Sequence, residues 1–234
     1  GAMAVAATGN PRNAYDMGLL TAQELRSCGV DFNLAPVMDI NCNPDNPVIG
    51  VRSYGDTPER VAEYGSQMVR GLLDGGVYCS LKHFPGHGDT AEDSHTALAV
   101  TYKTLDELQA CELLPFAADT GLHAVMVGHI AAPNVTGDGT PATLSPQLVA
   151  LIPDAENTLI VTDSLAMDAI TAAYTPGEAA VQALQAGCDV LLMPNSLPEA
   201  YAAVLEAVQN GTISEERLDR SVNKILLYKQ QFAS

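Results

Sequence analysis

Five short runs of apolar, mostly β-branched residues restrict the fold of this chain more than any other sequence feature. Each run is continuous rather than alternating, as in strands that are buried on both faces of a sheet. Stretches with helical periodicity separate the runs, and this order predicts parallel strands joined by crossover helices. We therefore expect an α/β fold in one domain spanning residues 1–234. The five runs are residues 30–40, 77–84, 124–130, 158–163 and 188–193.

Local signals predict where the intervening helices begin and end. Two pairs are typical of helix starts: Asn-Pro at 10–11 and Thr-Pro at 57–58. Two glycine positions are typical of helix ends: Gly29 and the Gly-Gly pair at 75–76. The spacings from Thr104 to Glu107 and from Ser196 to Glu199 predict capping boxes. The helix after residue 57 and the last helix, after residue 214, should each bury an apolar stripe: Val61, Tyr64, Met68 and Leu72 in one, and Leu218, Val222, Ile225 and Leu226 in the other.

Charge and cysteine content exclude several kinds of protein. The 234 residues include 11 Lys and Arg against 28 Asp and Glu, and the net charge of −17 argues against nucleic acid as a partner. No run approaches the roughly 18 consecutive apolar residues of a membrane span. The five cysteines have no close pairing in the sequence, so we expect free thiols rather than a disulfide framework or a zinc knuckle.

The expected compartment follows from the same cysteines. Free thiols favour a reducing compartment and therefore a cytoplasmic protein. The first three residues, Gly-Ala-Met, look like a cloning scar, so removal of a natural leader leaves a secreted protein or a lipoprotein as alternatives.

Polar side chains follow the predicted strands at the point where each strand ends. Asp39 ends the first run, Lys82 and His83 the second, His129 the third and Asp163 the fourth. The carboxyl ends of parallel strands meet at one edge of a sheet, where α/β proteins assemble their sites. Asp163 is the strongest candidate, because an acid beside a buried strand is costly unless it is paired or used. Its alternative role is to cap a helix over residues 164–170.

The stretch KHFPGHGDTAEDSH, residues 82–95, is the densest in ionisable side chains. Pro85 and Gly86 exclude a helix across it and favour a shaped loop. Asp93 lies two residues from His95, so its carboxylate can hold one ring nitrogen while the other nitrogen moves a proton. A solvated loop is one alternative. The other is a metal site with ligands drawn from His83, His87, Asp89, Asp93 and His95. This alternative is disfavoured because no helix can present two histidines at the HxxxH spacing here.

Four motifs together carry a resemblance to a known family. NPVIGVRSYG, KHFPGHGDTAEDSH, MVGHI and TDSLAMDAI resemble segments of the catalytic domain of glycoside hydrolase family 3, in particular its β-N-acetylhexosaminidase branch. The resemblance runs from about residue 10 to the C-terminus. It implies a (β/α)8 TIM-barrel type of α/β fold and a carbohydrate substrate, without a cofactor or a metal.

The resemblance also implies roles for the site residues. Asp163 is the expected catalytic nucleophile, His95 the general acid/base and Asp93 the partner of His95. Met167 is expected to form part of the wall of the site. The remaining residues are expected to bind the sugar at the nonreducing end or to lie near it: Arg52, Lys82, His83, Asp39 and His129.

The implied activity is that of a retaining exo-glycosidase. It releases terminal β-linked N-acetylglucosamine from oligosaccharides or muropeptides, as in recycling of the bacterial cell wall, through a covalent glycosyl-enzyme intermediate. An imidazole repels an anionic acceptor less than a carboxylate does, so a phosphorylase on the same residues is one alternative. An inactive fragment or a sugar-binding scaffold is the other.

The sequence departs from the family pattern on its N-terminal side. The family barrel has eight strands, and the D-x-E-G-G-like segment that normally follows the third does not occur here. The five runs correspond to strands four to eight of the family, which predicts an incomplete barrel with about five of the eight β/α units. Its free sheet edges would pair in a homodimer or with a missing N-terminal segment. We then expect the chain alone to be weakly active or inactive.

Overall fold

The computed structural model of the chain describes residues 1–90, 98–118 and 123–231. Its strands are β1 (Phe32–Asn33), β2 (Tyr78–Phe84), β3 (Ala99–Val100), β4 (Ala124–Val127), β5 (Ile130–Ala131) and β6 (Leu159–Thr162). A parallel sheet joins β1, β2, β4 and β6, and their spatial order follows their order in the chain. A parallel bridge from Val161 to Val190 adds a fifth position beside β6. The predicted parallel α/β arrangement is confirmed as an open arc of five strand positions.

Helices connect these strands and cover the sheet. The described part of the chain contains α1 (Ala2–Ala6), α2 (Arg12–Ser27), α3 (Pro58–Asp74), α4 (Leu105–Ala110), α5 (Pro133–Thr136), α6 (Pro146–Val149), α7 (Asp168–Thr171), α8 (Pro176–Ala186), α9 (Leu197–Gln209) and α10 (Glu215–Gln230). Short 3-10 turns occupy Gly50–Arg52, Leu114–Ala117 and Ala142–Leu144. Within the described ranges, no helix has both the length and the apolar character needed to cross a membrane. All five cysteines lie in these ranges and are free thiols, as predicted.

Three of the predicted strands are shorter or differently divided than expected. The run at 30–40 forms only β1 and a bridge from Val37 to Lys82, because Pro36 in its middle has no N–H to donate. The run at 188–193 contributes only the bridge at Val190. The run at 124–130 is split at Gly128, and β5 pairs with β3 in a separate two-stranded sheet that the sequence did not predict.

One of the two predicted capping boxes and one of the two predicted apolar stripes are confirmed, and the others are wrong. The Thr104 capping box is formed, and α3 buries all four predicted stripe residues. The capping box predicted from Ser196 to Glu199 is wrong: within the described residues, Ser196 is the N-cap of α9, but its side chain makes no capping hydrogen bond. In α10, Val222 and Leu226 are 44% and 47% exposed, while Ser221 is buried. The reason is that α10 turns a polar face inward. Ser221 Oγ donates a hydrogen bond to Asp189 Oδ1 at 2.6 Å, and Lys224 Nζ donates to Asp189 Oδ2 at 2.9 Å.

Close packing of α2 on α3 depends on glycine. A Cβ atom added at Gly71 would lie 2.1 Å from the carbonyl oxygen of Tyr15 and 2.8 Å from the amide nitrogen of Leu19. Backbone atoms cannot move aside as a flexible side chain does, so the two helices would have to separate.

We expect Gly71→Ala to lower the free energy of unfolding by about 2 kcal/mol through overpacking of these two helices. Urea unfolding followed by circular dichroism measures the loss. Gly139→Ala is the matched control, because a Cβ there meets no described atom within 4 Å. Equal stability of the two variants would contradict this account of the contact.

Candidate active site

The five polar residues predicted at the strand ends lie at the carboxyl edge of the parallel sheet. Lys82 and His83 occupy β2, Asp39 follows the bridge at Val37, and Asp163 directly follows β6. His129 lies between β4 and β5. The charges of Asp163 and Asp39 both act on the Lys82 ammonium group and oppose the lowering of its pKa by burial.

Asp39 is the buried acceptor that organises this edge. It is 0% exposed, and its Oδ2 lies 2.7 Å from His83 Nδ1 while its Oδ1 accepts the His87 amide at 2.7 Å. The His83 amide approaches both oxygens, at 3.2 and 3.3 Å. Burial raises the pKa of Asp39, but the charge and hydrogen bond of His83 outweigh it and hold the pKa below its ordinary value. An ionised Asp39 only accepts, so His83 carries its hydrogen on Nδ1 when neutral.

The segment after β2 is fixed by a second set of contacts. The side-chain amide of Asn46 donates to the carbonyl oxygens of His87 and Thr90, both at 2.8 Å. Its Oδ1 accepts the amides of Val48 and Ile49 at 2.9 and 2.7 Å. Asn46 therefore ties the loop that leads to Arg52 to the loop that leaves β2. Sequence analysis missed this residue, although the Asn-Pro pair at 46–47 within a quoted motif was a signal for a shaped turn.

Lys82 and Arg52 are two cations whose charges interact at this edge. Lys82 is half-buried, and burial together with the Arg52 charge lowers its pKa, against the opposing effect of Asp163 and Asp39. Arg52 ends a 3-10 turn, and its guanidinium group donates to the carbonyl oxygen of Val48 at 3.2 Å. This arrangement presents hydrogen-bond donors at the same edge as the Asp163 carboxylate.

Asp163 is half-buried and held by the backbone on both sides. Its amide donates to the carbonyl oxygen of Val127 at 2.9 Å, and its Oδ1 accepts the Ser164 amide at 2.7 Å. The alternative of a helix cap over residues 164–170 is wrong: the next helix, α7, begins at Asp168 with Met167 as its N-cap. Met167 is buried beside this segment.

His129 is fully buried, as Asp39 is. It is 0% exposed, and both ring nitrogens contact protein atoms, with Nδ1 2.6 Å from Thr143 Oγ1 and Nε2 2.8 Å from the carbonyl oxygen of Ser164. Burial is the largest cause that lowers the pKa of His129. Thr143 was not predicted as a site residue, since nothing in its local sequence marks it.

The predicted acid/base pair lies outside the described residues. Asp93 and His95 fall within residues 91–97, so their roles continue to rest on the motif. Asp89, just before this segment, lies 3.6 Å from the Lys103 ammonium group, which also pairs with buried Glu112. Of the groups the structure describes, none brings together three or more metal-ligating side chains.

Known proteins resemble the chain over almost its whole length. The profile described as "Glycosyl hydrolase family 3 N terminal domain" matches residues 1–227. "Beta-hexosaminidase A" of Pseudoalteromonas piscicida is 35% identical over 234 residues, covering 88% of this chain and 39% of that protein.

Solved structures agree with these relatives. A glycoside hydrolase family 3 beta-N-acetylglucosaminidase from Paenibacillus sp. str. FPU-7 superposes with a TM-score of 0.95 at 46% identity, covering 100% of this chain and 46% of that one. "Beta-glucoside phosphorylase BglX" superposes with a TM-score of 0.94 at 32% identity, covering 99% and 44%. The chain spans less than half the length of each of these three proteins.

Proposed function

This chain belongs to glycoside hydrolase family 3, and we propose that it acts as a retaining exo-glycosidase that releases terminal β-linked N-acetylglucosamine. The observation that carries the proposal is the Asp163 carboxylate at the carboxyl end of β6, whose charge acts on the Lys82 ammonium group. Relatives named beta-hexosaminidase support N-acetylhexosaminides as the substrate class, from oligosaccharides or muropeptides.

The proposed reaction has two steps, and His95 transfers a proton in each. The Asp163 carboxylate attacks the anomeric carbon while protonated His95 gives its proton to the leaving oxygen, which forms the glycosyl ester. Neutral His95 then takes a proton from water as that water attacks the anomeric carbon, and Asp163 leaves as a carboxylate. Asp93 positions His95 and stabilises its charged form in the first step.

The sugar itself is expected to bind to the donors around Asp163. Arg52 and Lys82 supply cationic donors for ring hydroxyl groups. Because Asp39 accepts a hydrogen bond from His83 Nδ1, the Nε2 atom of His83 is the ring nitrogen that can bind a sugar hydroxyl group. Asp39 then acts by orienting His83, rather than by touching the sugar, since it is 0% exposed.

Phosphate in place of water is the second candidate acceptor. Arg52 and Lys82 lie close enough for the charge of one to lower the pKa of the other, and two neighbouring cations favour an anionic acceptor. A solved relative named a beta-glucoside phosphorylase, with a TM-score of 0.94, has the same fold. The name of that relative specifies a glucoside as its substrate. It therefore supports phosphate as an acceptor but not N-acetylglucosamine as the sugar.

We expect the chain to release nitrophenol from 4-nitrophenyl N-acetyl-β-glucosaminide, with free N-acetylglucosamine as the product in buffer without phosphate. Measuring turnover with and without phosphate, with sugar 1-phosphate detected by phosphorus NMR, separates the two acceptors. The matching 4-nitrophenyl β-glucoside is the control for the N-acetyl group. Faster turnover of the glucoside would contradict the proposed substrate class, and sugar 1-phosphate as the main product would replace hydrolysis by phosphorolysis.

The open sheet has two outer edges that could affect the activity of the chain by itself. The fold is of the TIM-barrel type found in its family, and in the described residues β1 and the Val190 position form the outer edges of this sheet. Unpaired edges of parallel strands leave backbone donors and acceptors without partners. We infer that these edges pair with a second copy of the chain.

We expect size-exclusion chromatography with light scattering to report a dimer of the 24.5 kDa chain if the edges pair between copies. The turnover assay on the same fractions then shows whether activity follows the dimer. An active monomer would contradict the expectation that the chain with unpaired sheet edges is weakly active or inactive.

A further inference from the structure

His129 connects the turn after β4 to the segment that carries Asp163. Its Nε2 lies 2.8 Å from the carbonyl oxygen of Ser164, the residue directly after Asp163. We propose that His129 is a positioning residue, whose Nε2–H donates to this carbonyl and holds the nucleophile segment in place. The inference rests on the proposed function of Asp163 and assigns His129 a role other than contact with sugar.

The partners of the ring determine where its hydrogen lies. A backbone carbonyl only accepts, so the nitrogen facing Ser164 must carry a hydrogen. Thr143 Oγ1 lies 2.6 Å from Nδ1 and 3.0 Å from the carbonyl oxygen of Gly128. Thr143 has one hydroxyl hydrogen. If it donates to Nδ1, that nitrogen carries no hydrogen and the ring is neutral; if it donates to the Gly128 carbonyl, Nδ1 must itself donate to Thr143 Oγ1 and the ring is charged.

Burial decides between these two states of the ring. A charged imidazole without exposure loses its hydration, and burial accordingly lowers the pKa of His129. The Ser164 carbonyl and the Asp163 charge oppose this effect, while His83 and His87 add to it. The neutral ring with hydrogen on Nε2 is therefore the state at neutral pH, and Thr143 donates to Nδ1.

The bond from His129 completes a three-sided hold on the backbone around Asp163. The Asp163 amide donates to Val127 at 2.9 Å, and the Leu165 amide donates to Leu192 at 2.9 Å. The peptide group between Ser164 and Leu165 is thus held through its N–H by Leu192 and through its C=O by His129.

This hold reaches the carboxylate through one further contact. The Ser164 amide donates to Asp163 Oδ1 at 2.7 Å, so movement of residue 164 moves the reacting carboxylate. Misplacement of a nucleophile by about 1 Å can cost on the order of 10²-fold in rate. Since His129 is 0% exposed, its loss should lower kcat and leave KM nearly unchanged.

The test compares two amides of different reach at position 129. In His129→Gln the amide nitrogen stands near the position of Nε2 and can still donate to Ser164, whereas in His129→Asn it stands near Nδ1 and cannot. We expect His129→Asn to lower kcat by about 10²-fold with KM within about threefold, and His129→Gln to recover most of the loss. Equal losses in the two variants, or a rise in KM as the main effect, would overturn the proposal.

Nitrogen NMR of the histidine ring supplies a readout that does not depend on activity. Wild-type protein labelled with ¹⁵N should show His129 with hydrogen on Nε2 and none on Nδ1 at neutral pH. A hydrogen on Nδ1 alone would overturn the proposal even if both amide variants fail to fold. An inactive wild type with the expected ring signal would count against the proposed function and leave the bond to Ser164 supported.

Discussion

Replacing Asp163 by asparagine is expected to lower kcat by at least about 10⁴-fold, because an amide cannot form the glycosyl ester. The substitution preserves size, and the side-chain oxygen can still accept the Ser164 amide. The folded structure should therefore persist. Nitrophenol release from the N-acetylglucosaminide measures the loss, and circular dichroism confirms the fold.

Asp168→Asn is the matched control for this substitution. Asp168 is exposed in the first turn of α7, five residues further along the same segment. It should keep activity near that of the wild type. If Asp163→Asn retains more than about a tenth of the wild-type kcat, Asp163 is not the nucleophile.

The second large effect is expected at Asp39. Asp39→Asn keeps the size of the side chain but offers one acceptor oxygen and an NH₂ group to three donors, the His83 ring and the amides of His83 and His87. Buried donors left without partners should lower the free energy of unfolding by about 3 kcal/mol. Turnover should fall as well, because His83 loses the carboxylate that orients it.

The pH dependence of stability separates this account from simple loss of packing. The pKa of Asp39 is lower in the folded protein than in the unfolded chain, so its contribution is present above the unfolded pKa of about 3.9 and is lost as pH falls below it. The stability difference between wild type and Asp39→Asn should therefore shrink in acid. Urea unfolding at neutral and acidic pH measures this, with exposed Asp56→Asn as control. A difference independent of pH would show that the ionised carboxylate is not the stabilising group.

The positions of three strands and of two helices could be predicted because they depend on local patterns. Continuous apolar runs located β2, β4 and β6, and the proline and glycine signals located α2 and α3. The inward face of α10 could not be predicted, since it depends on contacts with Asp189, which lies 28 to 35 positions earlier in the chain. Amphipathic periodicity alone assigns burial to Val222 and Leu226, whereas tertiary contacts reverse it.

The site was predicted as a set of residues and not as a set of contacts. Asp39, His83 and His129 were expected around one sugar, but the pairing of Asp39 with His83 depends on the register that brings Val37 beside Lys82. The bond from His129 to Ser164 likewise joins residues 35 positions apart. Such contacts follow from how the strands align, which composition and spacing do not specify.

Covalent trapping tests the central claim most directly. A fluorinated N-acetylglucosaminyl fluoride, whose electron-withdrawing fluorine slows hydrolysis of the ester, should accumulate as one adduct per chain. Intact mass and peptide mapping then locate it. We predict the adduct on Asp163 and its absence in Asp163→Asn. An adduct on any other residue in an active preparation would contradict the proposed mechanism.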